Sequence, residues 1–287
     1  MQEFGDASSP LQWFDRPELS RPIVLAAFEG WNDAGEAAST TIDHLIDQWD
    51  AQLFAQIDAE NFFDFTATRP MVELTDGGER RIVWPTTDFW AATMPGTDQG
   101  VILVRGIEPQ LQWRTFTEFI GEVATTYDAS IFVTLGALLA DVPHTRTTVV
   151  YGSSDSPELA EQHDLQRSSY EGPTGIVGVL HSMAAGVGLS TASLWATVPT
   201  YVPGASSPKA ALALVERLAS VVGTAIDVED LQLEADEYVR QVSEFVEEDE
   251  DTAAYVAELE RHYDANQDAS PDDLVAEVEQ FLRDQSN

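Results

Sequence analysis

The sequence predicts an α/β fold, and two observations carry this prediction. First, an apolar run from Ile23 to Phe28 leads into a loop bracketed by Gly30 and Gly35, and a helical pattern follows at once. Strand, glycine-bracketed loop and helix is how an open α/β sheet begins, with ligand-binding loops at the carboxyl edge of its strands. Second, further continuous apolar runs alternate with helical patterns, as expected for strands buried on both faces.

The bulk composition indicates a globular chain. It has 287 residues, 44% of them apolar, and no cysteine, so disulfides and thiolate metal sites are excluded. The first residues contain neither the basic nor the apolar region of a signal peptide. No apolar run approaches the roughly 18 residues of a membrane span. We therefore expect a cytoplasmic protein that does not bind membranes.

The charge is strongly negative and unevenly distributed. Fifty acidic residues oppose 14 basic ones, which gives a net charge of −36. Such a chain repels phosphate backbones and anionic lipids, so nucleic-acid binding is not expected. From Ile226 onward there are 21 acidic and three basic residues, a net charge of −18. This shift predicts a core domain over residues 1–225 and an acidic helical extension over residues 226–287.

The first elements follow from local patterns. Residues before Arg21 predict an irregular arm, and the apolar run from Ile23 to Phe28 predicts the first strand. The next helix has one apolar face, and Ala51–Ile57 predicts a second strand. β-rich segments on either side of a turn at residues 76–78 predict a hairpin insertion at about residues 70–84. The apolar helix face consists of Ala38, Ile42, Leu45 and Trp49.

The middle of the chain continues the alternation. Helices are expected at residues 110–127 and 176–188. A third begins with Ser207 as its N-cap and ends at Gly223. Four further strands are predicted, namely Val101–Arg105, Ser130–Leu139, Thr147–Tyr151 and Ser193–Val198.

The acidic segment predicts three amphipathic helices. Residues 247–251 form a charged break after the first, and Ser270 opens the third. Each apolar stripe needs a partner, either the core or another subunit. The first stripe contains Leu231, Ala235, Tyr238, Val242 and Phe245, and the second contains Tyr255, Leu259 and Tyr263.

Three sequence blocks resemble one known family. They are GWNDAG at residues 30–35, YEGPTGIVGVL at residues 170–180, and LWATVPTYV at residues 194–202 with Ser-Pro-Lys at 207–209. In this order they resemble the proteasome assembly chaperone 2 family, in its bacterial, actinobacterial-type branch of uncharacterised proteins. The acidic tail resembles the extension of these members.

The resemblance implies both a fold and a role. The implied fold is a three-layer α/β/α sandwich like that of purine nucleoside phosphorylases, and the implied state is a homo-oligomer, with a trimer favoured. Eukaryotic and archaeal relatives help to assemble the proteasome α-ring, and some dock through a C-terminal hydrophobic-Tyr-X tail. This chain ends in Gln-Ser-Asn instead, so docking by that route is not expected.

The glycine-bracketed loop has two interpretations. Helix N-termini attract anions, but Glu29, Asp33 and Glu36 disfavour a phosphate here. The structural interpretation is that the two glycines shape the turn, Asp33 caps the helix and Trp31 packs. Neither a P-loop nor a GxGxxG pattern is present.

No catalytic, metal or cofactor site is assigned from sequence motifs. The five histidines are widely spaced, His181 being interpreted as a core or interface residue, and no nucleophile elbow occurs. Arg105 and Arg146 are the only basic candidates for phosphate near strand ends.

Two functional hypotheses follow. The first is a non-enzymatic oligomeric scaffold or chaperone-like protein, whose acidic C-terminal helices could bind a basic protein partner. The second is a small-molecule-binding protein or enzyme of phosphorylase-like fold, with its pocket at the carboxyl ends of the strands. The candidate pocket residues are Glu29, Gly30, Trp31, Asp33, Gly136, Tyr170 and Glu171.

Overall fold

A computed structural model describes residues 9–75 and 77–266. Eight strands form one sheet, and a separate hairpin stands outside it. The sheet strands are β1 (Leu11–Trp13), β2 (Ile23–Glu29), β3 (Gln52–Ile57), β6 (Thr87–Thr93), β7 (Gly100–Ile107), β8 (Ile131–Ala140), β9 (Val150–Ser153) and β10 (Ser190–Pro199). The hairpin strands are β4 (Met71–Leu74) and β5 (Arg80–Val83).

The helices alternate with these strands, which confirms the α/β class. Before the first helix, residues Ala34–Glu36 form one short 3-10 turn. The helices are α1 (Ala37–Gln48), α2 (Trp113–Thr126), α3 (Pro157–His163), α4 (Ile176–Gly186), α5 (Pro208–Val222), α6 (Glu229–Glu247) and α7 (Glu250–Asn266). None of these helices is both long and apolar enough to span a membrane, for the part of the chain described.

The sheet is mixed, with a parallel centre. Its order is β1-β3-β6-β7-β2-β8-β10-β9. The four central strands, β7, β2, β8 and β10, run parallel, and the outer pairings are antiparallel. Because β2 lies between β7 and β8, both of its edges and both of its faces are covered. This explains the uninterrupted apolar run at its position.

Helices cover both faces of the sheet. Side chains alternate along β2, because successive residues of a strand point to opposite faces. Ile23, Leu25 and Ala27 pack in one hydrophobic cluster with residues of α1 and α5. Val24, Ala26 and Phe28 pack in the other cluster, with residues of α2 and α4.

The predicted ends of α5 are confirmed. The Ser207 hydroxyl accepts a hydrogen bond from the backbone N–H of Ala210, Pro208 occupies the first turn, and Gly223 ends the helix at a φ of 72°. The predicted apolar face of α1 is also confirmed. Its residues Ala38, Ile42, Leu45 and Trp49 are all buried.

Three local predictions were wrong or incomplete. The arm before Arg21 is not wholly irregular, because Leu11–Trp13 pairs antiparallel with Ala55–Ile57. Two elements were missed: β6, whose TDFWAAT sequence has no clean alternation, and α3, which is only seven residues long. The strand expected at Thr147–Tyr151 begins later, at Val150, where the chain pairs with β10.

The hairpin insertion is confirmed as an exposed element. β4 and β5 pair only with each other among the described strands. At its base, the rings of Phe65 and Trp84 contact edge to face with their centroids 4.8 Å apart. The hairpin therefore stands out from the main sheet.

Helix α6 packs directly on the core. Leu231 and Ala235 belong to the same hydrophobic cluster as the buried residues of α5. Farther along, Tyr238, Val242 and Val246 pack with Val202 and with Val256 of α7. The charged break between α6 and α7 is confirmed, and the helix predicted from Ser270 lies outside the described residues.

The prediction that Phe245 belongs to the buried stripe of α6 was wrong. Phe245 is 54% exposed, whereas its neighbour Val246 is 6% exposed. Residues three and four positions apart both lie on one helix face, so the spacing alone allows either Phe245 or Val246 to follow Val242 in the stripe. In the structure the buried residue is Val246. On α7, Val256 and Leu259 are buried, whereas Tyr255 is 38% exposed.

Substitution of two α6 residues tests this assignment. We expect Leu231→Ala to lower the free energy of unfolding by about 2–5 kcal/mol, because it leaves a cavity in the core. We expect Phe245→Ala, the matched control on the same helix, to change it by about 0.5 kcal/mol or less. Urea denaturation measures both, and equal losses would contradict the packing described.

Candidate functional site

A cleft of about 760 Å³ opens toward the carboxyl ends of the central parallel strands. One wall is the loop after β2, residues 30–35, and the opposite wall is formed by residues 166–174 and the first turns of α4. Parts of β8, β9 and β10 complete it. The cleft therefore lies where open α/β sheets bind ligands.

The loop after β2 continues the sheet beside β8. The β2–β8 pairing ends at Ala26 opposite Thr134, and Asp33 then forms a bridge with Ala137. The backbone N–H of Ala137 donates to the carbonyl oxygen of Asn32 over 2.8 Å. Gly30, at a φ of 123°, allows the chain to turn away and return.

One carboxylate joins this loop to α4. Glu108 Oε1 accepts hydrogen bonds from Asn32 Nδ2 and from the backbone N–H of Ile176, both over 2.8 Å. Ile176 is the first residue of α4, so Glu108 satisfies one of its free N–H groups. A Cβ on Gly175 would lie only 2.1 Å from Asn32 Nδ2, and glycine is required there.

The same loop also contacts the start of α5. The backbone N–H of Ser207 donates to the carbonyl oxygen of Gly35 over 2.7 Å. A Cβ on Gly35 would lie 2.8 Å from Ser207 Cβ, and its φ of 60° favours glycine independently. The GWNDAG block thus contacts both of the other sequence blocks.

The side chain of Asp33 caps helix α1, as predicted, although Asp33 lies four residues before Ala37, the first residue of the helix. Its Oδ1 accepts from the backbone N–H groups of Ala38 and Ser39, over 2.7 and 3.3 Å. Burial raises the pKa of the Asp33 carboxyl, although these hydrogen bonds oppose the shift. The interpretation of Trp31 as a packed residue was wrong, because it is 52% exposed and lines the cleft.

The seven candidate pocket residues have different positions. Gly30, Trp31, Asp33 and Tyr170 line the cleft. Glu29 points instead to Arg105, with a distance of 2.7 Å between Oε1 and Nη2. Gly136 lies against the ring of Trp195, where a Cβ would be 2.6 Å from a ring carbon. Glu171 is exposed, between the lining residues Tyr170 and Gly172.

The two arginines considered for phosphate are both paired with carboxylates. Arg105 binds Asp43 and Glu29. Arg146 binds Glu260 and Asp264, and so ties α7 to the loop after β8. Neither arginine is in the cleft wall. No group of three or more histidine or acidic side chains suited to a metal ion occurs within residues 9–75 and 77–266.

His181 lines the cleft, although the sequence alone led to a core or interface role. Its Nε2 lies 3.3 Å from Thr191 Oγ1 and 3.6 Å from Asp155 Oδ2. Burial lowers the pKa of its imidazole, and the Asp155 carboxylate opposes this shift. The spacing between His181 and Gly178 could have indicated this position. Both residues line the cleft, and residues three apart lie on the same face of a helix. Other lining residues that were missed include Asn32, Asp155, Arg167, Ser193 and Trp195.

The Glu108 bridge is open to a direct test. We expect Glu108→Ala to cost about 1–3 kcal/mol of stability, because the Asn32 amide and the Ile176 N–H lose their acceptor. Glu108→Gln keeps an oxygen at this place, so we expect a loss below about 1 kcal/mol. Thermal and urea unfolding of both variants would measure the loss of stability. Equal losses for the two variants would contradict the role of the Glu108 oxygen as a shared hydrogen-bond acceptor.

Two substitutions of Asp33 separate the effect of its capping hydrogen bonds on stability from the effect of its buried charge. We expect Asp33→Ala to cost about 1 kcal/mol, the usual value of a lost helix cap. Asp33→Asn keeps the accepting oxygen and removes a buried charge, so its stability should stay near that of the original chain.

The pH dependence of stability shows in which direction the charge of Asp33 acts. The folded-state pKa of Asp33 is raised above the usual 3.8, so its contribution to stability is present below this value and is lost as the pH rises through the raised pKa. Asparagine does not ionise. Unfolding measured at about pH 4 and pH 7 should show Asp33→Asn gaining on the original chain as the pH rises, and a relative loss would contradict the burial argument.

Comparison with known proteins identifies the family. The sequence matches the PAC2 family over residues 27–246. A PAC2 family protein from Streptomyces avermitilis is 43% identical, with a TM-score of 0.77, and the match covers 82% of this chain and 99% of that one. The search of curated proteins returned no match.

Two structures from Mycobacterium tuberculosis are also similar. One, described as a proteasome-assembly chaperone homologue, is 40% identical with a TM-score of 0.74, covering 82% of this chain and 99% of that one. The other, of unknown function, is 27% identical with a TM-score of 0.86, and the match covers all of both chains. The resemblance predicted from the three sequence blocks is therefore confirmed, and the chain belongs to the PAC2 family, close to its actinobacterial members.

Proposed function

We propose that this protein is a non-enzymatic, chaperone-like assembly protein that acts as a homo-oligomer, with a trimer as the proposed state. The observation that carries the proposal is the exposed apolar face of the β4–β5 hairpin. Membership of the PAC2 family and the similarity to a protein described as a proteasome-assembly chaperone homologue support it. A cytoplasmic location is part of the same proposal.

The hairpin has one distinctly apolar face. Val72 is paired with Ile82, and Leu74 is paired with Arg80, so these four side chains lie on the same side. Val72 is 58% exposed, Leu74 70% and Ile82 55%. Such a cluster on an isolated two-stranded hairpin is costly in water, and exposed apolar patches mark interaction sites.

Charge favours a second copy of this chain as the occupant. Residues 69–84 contain three arginines and three acidic residues, so this segment is neutral, and the whole net charge of −36 lies elsewhere. Copies of so acidic a chain repel one another over most of their surface. The hairpin is where two copies meet the least repulsion and remove apolar area from water.

Removing the apolar face should therefore dissociate the oligomer. We expect the triple variant Val72→Ser, Leu74→Ser and Ile82→Ser to be a folded monomer by light scattering at micromolar concentration, because burial of these side chains drives association. The matched control is Glu73→Gln with Arg81→Gln, which removes an exposed ion pair from the opposite face. A monomeric original chain, or a triple variant that stays oligomeric, would refute the proposal.

The acidic segment is proposed as a second interaction surface. Division into a core of residues 1–225 and an acidic extension of residues 226–287 is retained as a proposal, with the extension anchored through Leu231 and Ala235 rather than free. The exposed acidic side chains of α6 and α7 would attract a basic surface of a protein partner. This attraction weakens as salt is added.

The cleft supports a second candidate function, small-molecule binding. Its volume of about 760 Å³ is within the usual range of ligand sites, and it lies at the carboxyl edge of parallel strands. The seven candidate residues, with a phosphorylase-like arrangement of the core, belong to this second proposal. Enzymatic turnover is not needed for it.

A further inference from the structure

We propose that the acidic C-terminal segment, residues 267–287, binds to a basic groove beside α5 of the same chain. The groove has a volume of about 640 Å³. It is lined by residues 145–148 of the loop after β8, by Val150 of β9, by one face of α5 and by Gln232 of α6, and we call it the α5 groove. Neither proposed function is required for this binding.

The described part of the chain ends beside the α5 groove. Arg146, in the groove wall, pairs with Asp264 in the last turn of α7, with 2.7 Å between Nε and Oδ1. The hydroxyl of Tyr263 donates to the carbonyl oxygen of Thr147, another wall residue, over 3.2 Å. The last described residue, Asn266, follows Asp264 by two positions. The rest of the chain therefore leaves from the edge of the α5 groove.

The wall of the α5 groove is basic, on a chain whose net charge is −36. It contains three basic residues and one acidic residue, namely Arg146, Lys209, Arg217 and Glu216. Arg146 is already paired with α7, whereas Lys209 and Arg217 donate to backbone carbonyl oxygens and form no ion pair among the described residues. Both side chains are partly exposed, so a carboxylate that entered the groove could reach them.

Lys209 is the group that most needs a negative neighbour. Burial, with a smaller contribution from the nearby Arg146, lowers the pKa of its ammonium group to about 8. An opposite charge close to a partly buried cation stabilises the charged form. A carboxylate bound in the α5 groove would supply that charge.

The C-terminal segment complements the groove in charge and in apolar surface. Residues 267–287 contain six acidic residues and one basic residue, a net charge of −5. The predicted helix from Ser270 has an apolar stripe at helical spacing, which consists of Leu274, Val278 and Phe281. The apolar part of the groove wall consists of Val150, Leu212 and Ala213. One helix face could therefore contact the apolar wall while its acidic residues meet the basic side chains.

Tethering favours this segment over a separate acidic molecule. A short flexible connection gives a tethered group an effective concentration of about a millimolar at a nearby site. Residues 267–269 form such a connection, and a helix of the following 18 residues would be about 27 Å long. A second acidic chain would also have to overcome the repulsion between copies. We therefore assign the groove to the segment of the same chain.

Spin labels on the full-length chain test the proposal. The chain contains no cysteine, so Gln232→Cys at the groove rim and Ala276→Cys in the segment accept labels specifically. Excess unlabelled chain restricts the measured distances to single molecules. A flexible stretch from Asn266 to Ala276 would spread over about 17 Å. By pulsed electron paramagnetic resonance, we expect one distance peak less than half as wide.

A variant and its matched control test the role of charge. Ser220→Glu places a carboxylate three residues after Arg217 on α5, where the two side chains can pair, and we expect it to at least double the width of the peak. Leu233→Glu adds the same charge at a 64% exposed position of α6 outside the groove wall, and it should leave the peak unchanged. Circular dichroism verifies that both variants are folded.

Salt gives an independent readout of the same contact. At about 1 M salt, where the Debye length is about 3 Å, the peak of the original chain should broaden because the attraction is screened. A peak that stays narrow both in this salt and in Ser220→Glu would overturn the basic groove as the binding site.

Two other results would also overturn the proposal. A broad distribution of distances in the original chain at low salt would show that the segment does not bind. The occupant is tested by mixing chains labelled only at Gln232→Cys with chains labelled only at Ala276→Cys. A short distance in this mixture would assign the groove to the segment of a second copy, and so overturn binding within one chain.

Discussion

The carboxylate of Glu108 is the contact on which the centre of this molecule depends. It accepts from the Asn32 amide and from the first N–H of α4, and so joins the ends of β7 and β2 to a helix on the far side of the cleft. The loop after β2 completes the connection, because the carbonyl oxygen of Gly35 accepts a hydrogen bond from the backbone N–H of Ser207 at the start of α5. Four segments that are distant along the chain are thereby held together by a few hydrogen bonds, two of them charge-assisted.

This network also leaves two buried oxygens without a hydrogen-bond partner among the described residues. Asn32 directs its NH₂ group to Glu108, and Asp33 directs Oδ1 to the start of α1, so one oxygen of each side chain has no partner in the described chain. Buried polar groups are normally satisfied, so these two oxygens lower the stability that the network would otherwise provide.

The distribution of charge separates the two proposed activities. The neutral hairpin lies outside the sheet and exposes its apolar face, which suits association between copies of an acidic chain. The cleft lies at the carboxyl edge of the sheet, where we propose that a small molecule binds. Arg105 and Arg146, the basic residues near strand ends, both form ion pairs with carboxylates. The ion pair of Arg146 connects α7 to the loop after β8. The two proposed functions thus use different surfaces.

The sequence by itself determined the elements with strong periodic patterns, the caps of α5, the exposed hairpin and the family, because these depend on local spacing and residue type. It did not reveal β6, α3 or the edge pairing of Leu11–Trp13, whose short or mixed patterns become ordered only through contact with β3, β7 or β10. The tertiary structure alone brought Trp31, Asp33 and Tyr170 together with His181, and directed Glu29 to Arg105. Side-chain direction depends on partners distant in the chain, such as Glu108 for Asn32, and no local pattern encodes it.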